Sequence, residues 1–560
     1  MTTSQTLAGN TGWRLKIDGW TLGTAAVSTA VMLPIVAVII LAFTPGDDIW
    51  GHLTSTVLPL YITTTVQLMI GVGTGTFFIG VGGAWLVTIY RFPGKRFFEW
   101  ALLLPMAMPA YVIAYVYTDV LEYAGPVQGA LRHLFGWTSI RQYWFPEIRS
   151  LGGAVSMMTL VLYPYVYLLA RAAFLEQSVG VLEASRVLGR SQWQSFYSVA
   201  LPLARPAIVI GLSLVLMETL NDFGTVDFFA VYTFTLGIFD VWMNMSNIAG
   251  AAQLASLMLL FVIALVLAER FARRKKRFHQ TTTTYKNLPG YKLGSIKGLL
   301  ATVVCTLPVV LGFALPSIVL ATYAVIHFDG DVVVQVIQTA GNSLLLSGTA
   351  ALIAVIVAIF MAYGVRIKGG PVLKVMTRIA ALGYAVPGSV LAVGVIAVLA
   401  SLDNSIDGFM RQHFGFSSGL LFSGTVAAVI FGYLVRFLAL SFGTVEASLT
   451  KITPSMDGAA RTLGHGPFAT LRRVHLPLMK TSILTAGMLV FVDGMKELPL
   501  TIILRPFNFQ TLATYVHQFA SDEQLGEASL AALAIVGTGI IPVILLSYAI
   551  RKSRPGNEIA

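Results

Sequence analysis

Glu183-Ala-Ser-Arg-Val-Leu-Gly189 continues through Arg190-Ser-Gln-Trp-Gln-Ser-Phe-Tyr-Ser-Val-Ala to Leu201-Pro202, a polar and amphipathic island between two long apolar runs. The island occurs twice. At an offset of 275 residues, Gly458-Ala-Ala-Arg-Thr-Leu-Gly464 leads to Leu476-Pro477, so Gly189 pairs with Gly464 and Pro202 with Pro477. The chain is a tandem duplication. Ser178 and Thr453 fall at equivalent positions where each can cap a helix, the second with Pro454 at the favoured first helical position. The glycines suit a left-handed helix end, a second short helix follows each, and the Leu-Pro pairs are expected to stop it. Each copy therefore reads as a helix-turn-helix elbow.

Working outward, the 560 residues are 56% hydrophobic and only 11% charged, and their apolar runs repeatedly exceed the length that spans a bilayer. Spans are expected near 20–43, 60–89, 97–121, 151–174, 203–224 and 248–269, then 299–326, 340–365, 375–400, 418–442, 478–503 and 527–550. The fold class is an all-α polytopic membrane protein of about twelve transmembrane helices in two parallel six-helix repeats. Residues 1–270 form the first repeat, 271–297 a cytoplasmic linker and 298–560 the second. The repeat extends upstream of the elbows at an offset of 278, where Pro109 matches Pro387 and Thr64-Thr65 matches Asn342-Ser343.

The net charge of +11 does not point to nucleic acid, because the basic residues cluster beside apolar spans and there orient a membrane protein. With both termini cytoplasmic, 31 of the 37 Lys and Arg fall at cytoplasmic positions; Arg132, Arg141, Arg149, Arg411 and Arg505 lie outside and Lys496 lies within a span. Both elbows are thereby placed in the cytoplasm. The basic run Arg270–Arg277 reads as a stop signal beside the sixth span. The first apolar run lacks a small-residue cleavage site and reads as a retained span. Cys305 reads as a small core residue, and no Cys/His cluster has metal-ligand spacing. Gly71, Gly73, Gly75, Gly80, Gly82 and Gly83 share one apolar span and read as close helix packing. No G-x-x-x-x-G-K-[ST] loop is present, so ATP-driven work needs a separate subunit.

Charged residues inside a span cost roughly 2.5–3.5 kcal/mol each on insertion scales and so ask for a reason. Glu218, Asn221 and Asp222 fall at i, i+3 and i+4 near the end of the fifth span, and Asp493, Lys496 and Glu497 repeat that spacing in the eleventh. If both faces turn to the axis between the repeats, four carboxylates surround a pathway, a hard-oxygen set suited to a hard cation and ill suited to an anion. Glu218, Asp222, Asp493 and Glu497 are then candidate transient contacts for a metal ion. Lys496 is expected to neutralise one of its neighbours. The distance from Leu203 to Glu218, about 22 Å of helix, puts the cluster toward the outer mouth.

The elbows resemble the EAA motif of the permease subunits of binding-protein-dependent ABC importers. On that resemblance Glu183, Ala184, Gly189, Leu201 and Pro202 form the first coupling element, and Ala459, Ala460, Gly464, Leu476 and Pro477 the second. The second copy departs from the motif, having Gly458 at the glutamate position and Asp457 one residue earlier. Glu218-Thr-Leu-Asn-Asp-Phe-Gly224 and Lys496-Glu-Leu-Pro499, with Leu504-Arg-Pro-Phe507 and Ala520-Ser-Asp-Glu523, resemble the fused permeases of ferric-iron importers. The resemblance implies a type I importer fold in the bacterial inner membrane. It implies two copies of an ATP-binding subunit docked at the elbows, with ATP and Mg bound there and no cofactor in this chain, and a periplasmic substrate-binding protein above. Related fused permeases for thiamine, phosphonates and other small solutes are the alternative within this class. An ion-coupled secondary transporter is the alternative from another class, and it has no need of two matched cytoplasmic docking elements.

Overall fold

The computed structural model describes residues 19–44, 49–176, 185, 187–274 and 290–552. Among them, eleven helices are long and apolar enough to cross a membrane, and a bent pair makes a twelfth span. In chain order we label these α1 Gly19–Ala42, α2 Leu58–Ile89, α3 Ala110–Leu121, α4 Leu151–Glu176, α5 Leu201–Asn221 and α6 Ile248–Arg274. The second half supplies α7 Ser295–Ile326, α8 Gly330–Lys368, α9 Gly388–Phe414, α10 Val426–Thr450, α11 Leu476–Met495 and α12 Leu525–Lys552. The expected spans are all present, with the start of α8 shifted by ten residues and the start and end of α9 by thirteen and fourteen.

The third span is not one straight helix. Lys95–Ala107 meets Ala110–Phe135 at 90°. The cause is Pro109, which lacks an N–H and drives the preceding Met108 into an extended conformation with ψ of 122°. The same break recurs before α9, where Val386 has ψ of 126° and Pro387 ψ of 147°. A second equivalence repeats a hydrogen bond. Thr65 Oγ1 accepts from the backbone N–H of Phe234, and Ser343 Oγ accepts from that of Leu512, again at the offset of 278.

The halves of the sequence are not the units of packing. One apolar core joins α2, α4 and α5 to α7 and α12; the other joins α8, α9 and α10 to α1 and α6. The first and last spans of each repeat thus cover the middle four of the other repeat, so neither half buries its apolar faces alone. Close approach makes this possible: at Gly394 of α9 a Cβ would lie 2.1 Å from the carbonyl oxygen of Pro34 in α1, and at Gly539 of α12 one would lie 2.8 Å from that of Ala107. Gly71, Gly75 and Gly80 likewise bring α2 onto Val155, Thr159 and Val166 of α4, whereas Gly82 faces open space. Cys305 is buried in the first core. Part of the linker, residues 275–289, lies outside the described residues. Its end, Tyr291–Lys292, pairs as a short parallel strand with Tyr90–Arg91 at the end of α2.

The swap makes Gly394 sensitive. Gly394→Leu should push α1 off α9 and cost about 1–3 kcal/mol or more, seen as reduced accumulation and a lower unfolding temperature of the purified protein. Gly348→Ala in α8, which meets nothing within 4 Å, should be neutral or slightly stabilising.

Candidate functional site

The two elbows close by the same local rule. Gly189 and Gly464 adopt φ of +82° and +78°. Behind them Arg190 N donates to Ser185 O over 3.2 Å, and His465 N donates to Ala460 O over 3.0 Å, the reverse bond that ends a helix on a left-handed residue. Ser191 then caps the second short helix of the first elbow in a reciprocal pair with Gln194, while Pro467 opens its counterpart. Glu183, Ala184 and Ser178 lie outside the described residues. Thr453 stands at the helix start as expected, but its side chain makes no capping bond; Pro454 at the first position leaves one fewer N–H to satisfy.

The Leu-Pro pairs do not stop the chain's helix. Each follows a widened π turn, 196–200 or 471–475, and the helix runs on into α5 or α11. Proline cannot donate to the carbonyl four residues back and its ring collides with it. In both copies the residue before the proline bonds five back, Leu201 N to Phe196 O and Leu476 N to Leu471 O, which opens room for the ring. Leu315-Pro316 inside α7 repeats the device.

The elbows are anchored differently. In the second, Asp457 takes Arg366 Nε at 2.9 Å and His475 Nε2 at 2.6 Å, and Tyr363 donates to Pro467 O at 2.6 Å. Burial opposes the Asp457 charge, but the bonds from Arg366 and His475 outweigh it and hold the carboxyl below its usual range. This acid is spent on holding its own elbow to α8. In the first, Trp85 packs on Phe196 and Phe174, and Tyr90 donates to Gln192. Each elbow leaves an equivalent pair of large apolar residues exposed, Leu188 with Trp193 and Leu463 with Phe468.

The intramembrane acids do not all sit on helix faces. α5 ends at Asn221 and α11 at Met495, so Asp222 and Glu497 fall in the breaks that follow. Asp222 accepts from the backbone N–H groups of Thr225 and Val226 at 2.9 and 3.3 Å and from Thr225 Oγ1 at 3.0 Å, capping the short helix Gly224–Phe228. Glu497 accepts from Leu500 N at 3.2 Å above Pro499–Leu504. Across the seam between the repeats, Asn221 Oδ1 accepts from Gly388 N at 2.7 Å and from Arg436 Nη1 at 2.6 Å, while Arg436 Nε lies 3.3 Å from Glu497 Oε2. Tyr384 donates to Glu218 at 2.8 Å, and Lys496 pairs with Asp493 at 2.9 Å as expected. The four carboxylates thus have separate partners. Among the described residues no three His, Cys, Asp or Glu side chains converge to hold a metal ion.

Five of the six expected pathway residues do come together. Glu218, Asn221, Asp222, Lys496 and Glu497 line one small cavity of about 80 Å³ between the repeats, closed by Met106, Pro109, Tyr111 and Val161. Asp493 is held at its edge through Lys496. Sequence reasoning missed three residues of the site. Arg436, only 2% exposed, was counted with the cytoplasmic residues, although a charge in an otherwise apolar run is the signal that singled out Lys496. Tyr384 and Tyr111 carried no local signal, since an aromatic residue in a span is ordinary.

Arg436→Met should leave Glu497 buried and unpaired and cost about 3–5 kcal/mol, whereas Arg436→Met with Glu497→Leu should recover most of that loss. Unfolding temperatures of the two purified variants check this.

The family model described as binding-protein-dependent transport system inner membrane component matches residues 76–277 and again 354–554, more than half of the chain. The Fe(3+)-transport system permease protein FbpB 2 of Haemophilus influenzae is 27% identical over 502 residues, which cover 88% of this chain and 90% of that protein. The ferric transport system permease protein FbpB of Actinobacillus pleuropneumoniae is 23% identical over 452 residues, covering 76% of this chain and 62% of that protein. The molybdenum transport system permease protein ModB of Escherichia coli is 27% identical over 201 residues, covering 35% of this chain and 84% of that protein.

Proposed function

Because this chain belongs to the family of binding-protein-dependent transport system inner membrane components, and is a tandem permease of that kind, we propose that its cargo is ferric iron. The observation that carries this reading is similarity over 88% of the chain to a permease named for Fe(3+) transport, where the relative named for molybdenum transport matches about a third of the chain. The lining of the cavity agrees with it. The lining carries three carboxylates and one lysine, with Arg436 pairing Glu497 from outside it, a hard-oxygen set better suited to a cation than to an anion.

On this reading a periplasmic binding protein delivers the ion to the outer mouth, and transient contacts with Glu218, Asp222, Asp493 and Glu497 lower the cost of its passage. Two copies of an ATP-binding subunit, with their ATP and Mg, dock one at each elbow on the cytoplasmic side, where both termini also lie. The support for two equivalent docking points is the pair of exposed apolar anchors that each elbow presents, Leu188 with Trp193 and Leu463 with Phe468. The closed state is kept by the seam: Arg436, Asn221 and Glu497 cross-link the breaks after α5 and α11, and opening requires these bonds to be exchanged for bonds to cargo or water.

Vesicles containing the permease, its ATP-binding subunit and the loaded binding protein should take up radiolabelled ferric iron when ATP is supplied. Uptake should survive a proton ionophore and stop on ATP depletion; the reverse pattern would establish a secondary transporter, and uptake of thiamine or a phosphonate in place of iron would overturn the cargo. Leu463→Ser with Phe468→Ser should lower binding-protein-stimulated ATP hydrolysis at least tenfold, and the matching pair Leu188→Ser with Trp193→Ser should do the same. Unchanged stimulation in both would remove the elbows from coupling.

A further inference from the structure

We propose that Tyr111 contacts the cargo directly, its phenol oxygen binding the ferric ion as it crosses the cavity between the repeats. The inference rests on the iron reading above and adds a ligand that no charged-residue argument supplies.

The cavity is small. At about 80 Å³ it has space for a few waters or one ion with part of its shell, not for an organic solute. Most polar groups on its wall are already engaged: Glu218 by Tyr384, Asn221 by Gly388 N and Arg436, Asp222 by Thr225 and Val226, Glu497 by Leu500 N. Tyr111 differs. It is 5% exposed, lines the same cavity, and its hydroxyl is, among the described lining residues, the buried side-chain oxygen without a hydrogen-bond partner. A buried phenol left unpaired is costly, and such a group in a polar cavity points to a ligand that comes and goes.

The two repeats have diverged at this place. The offset of 278 sets Ser389 opposite Tyr111, and the offset of 275 sets Arg436 opposite Val161. Around Arg436 the seam is filled by the guanidinium and its partners. Around Val161 the lining carries no guanidinium; its one cation, Lys496, is paired with Asp493, and there the cavity opens with Tyr111 on its wall.

The chemistry is ligand exchange. As the Oη–Fe bond forms, an iron-bound water leaves, the O–H bond breaks and the proton passes to water; iron stays ferric throughout. A phenolate is a hard oxygen donor, and one phenolate beside carboxylates that exchange between the ion and their protein partners holds the ion only transiently, as a conducting path requires.

The test is Tyr111→Phe, which keeps the ring and removes one oxygen, in the complete complex of permease, ATP-binding subunit and loaded binding protein. Ferric uptake should fall at least tenfold while complex assembly and stimulated ATP hydrolysis stay within twofold of wild type. Separately, ferric nitrilotriacetate added to the purified permease and ATP-binding subunit, with no binding protein present, should give the visible phenolate-to-iron charge-transfer band, and the variant should lack it. If wild type carries iron and the variant carries it equally, or the band persists in the variant, Tyr111 is not the ligand and the iron reading stands. If wild type carries no iron and gives no band, both fall together.

Discussion

In hydrocarbon, every backbone N–H and C=O must find its partner inside the protein, and helices that break there are tolerated only where other protein groups close the gap. This chain breaks its helices at Pro109, Pro387, Asp222 and Lys496, and the breaks meet at one level between the repeats. The acids near them are first of all backbone acceptors. Asp222 satisfies Thr225 and Val226, Glu497 satisfies Leu500, and Asn221 reaches across the seam to Gly388. Polar residues that look on paper like a pathway thus also hold together the irregular backbone that a pathway needs.

The interlocked packing has the same origin. Four central spans per repeat, two of them broken at the seam, leave apolar outer faces that α1 and α6, or α7 and α12, cover from the opposite repeat. Each repeat is therefore stabilised by segments at the far end of the other, and a duplicated gene can diverge at its seam without losing the frame. Arg436 opposite Val161 and Lys496 opposite Asn221 are two such differences.

The fold was legible because its signals are long: apolar runs, a repeat at constant offset, and glycine and proline punctuation. Gly189 and Gly464 could be read as left-handed helix ends since few other residues accept that geometry. What escaped was produced by distance in sequence. The bonds from Arg436 to Asn221 and from Tyr384 to Glu218 join positions more than 160 residues apart, and nothing near either residue announces its partner. The reading of Asp222 as a helical i+4 neighbour failed for a local reason: Asp222 has ψ of 129°, so the helix had already ended. The Leu-Pro pairs misled because proline was read as a terminator, where a π turn accommodates it.

That accommodation turns each elbow and the span behind it into a single lever. Leu201–Asn221 is about 31 Å long at 1.5 Å per residue, and it is continuous with the short helix that carries Trp193. A tilt of about 10° at the elbow end displaces the far end by roughly 5 Å, more than the length of any hydrogen bond in the seam. Movement of this size at two elbows, applied to α5 and α11 together, would exceed the 2.6–2.7 Å bonds that hold Asn221 to Arg436 and Gly388, so a small rotation at the surface has leverage on the centre.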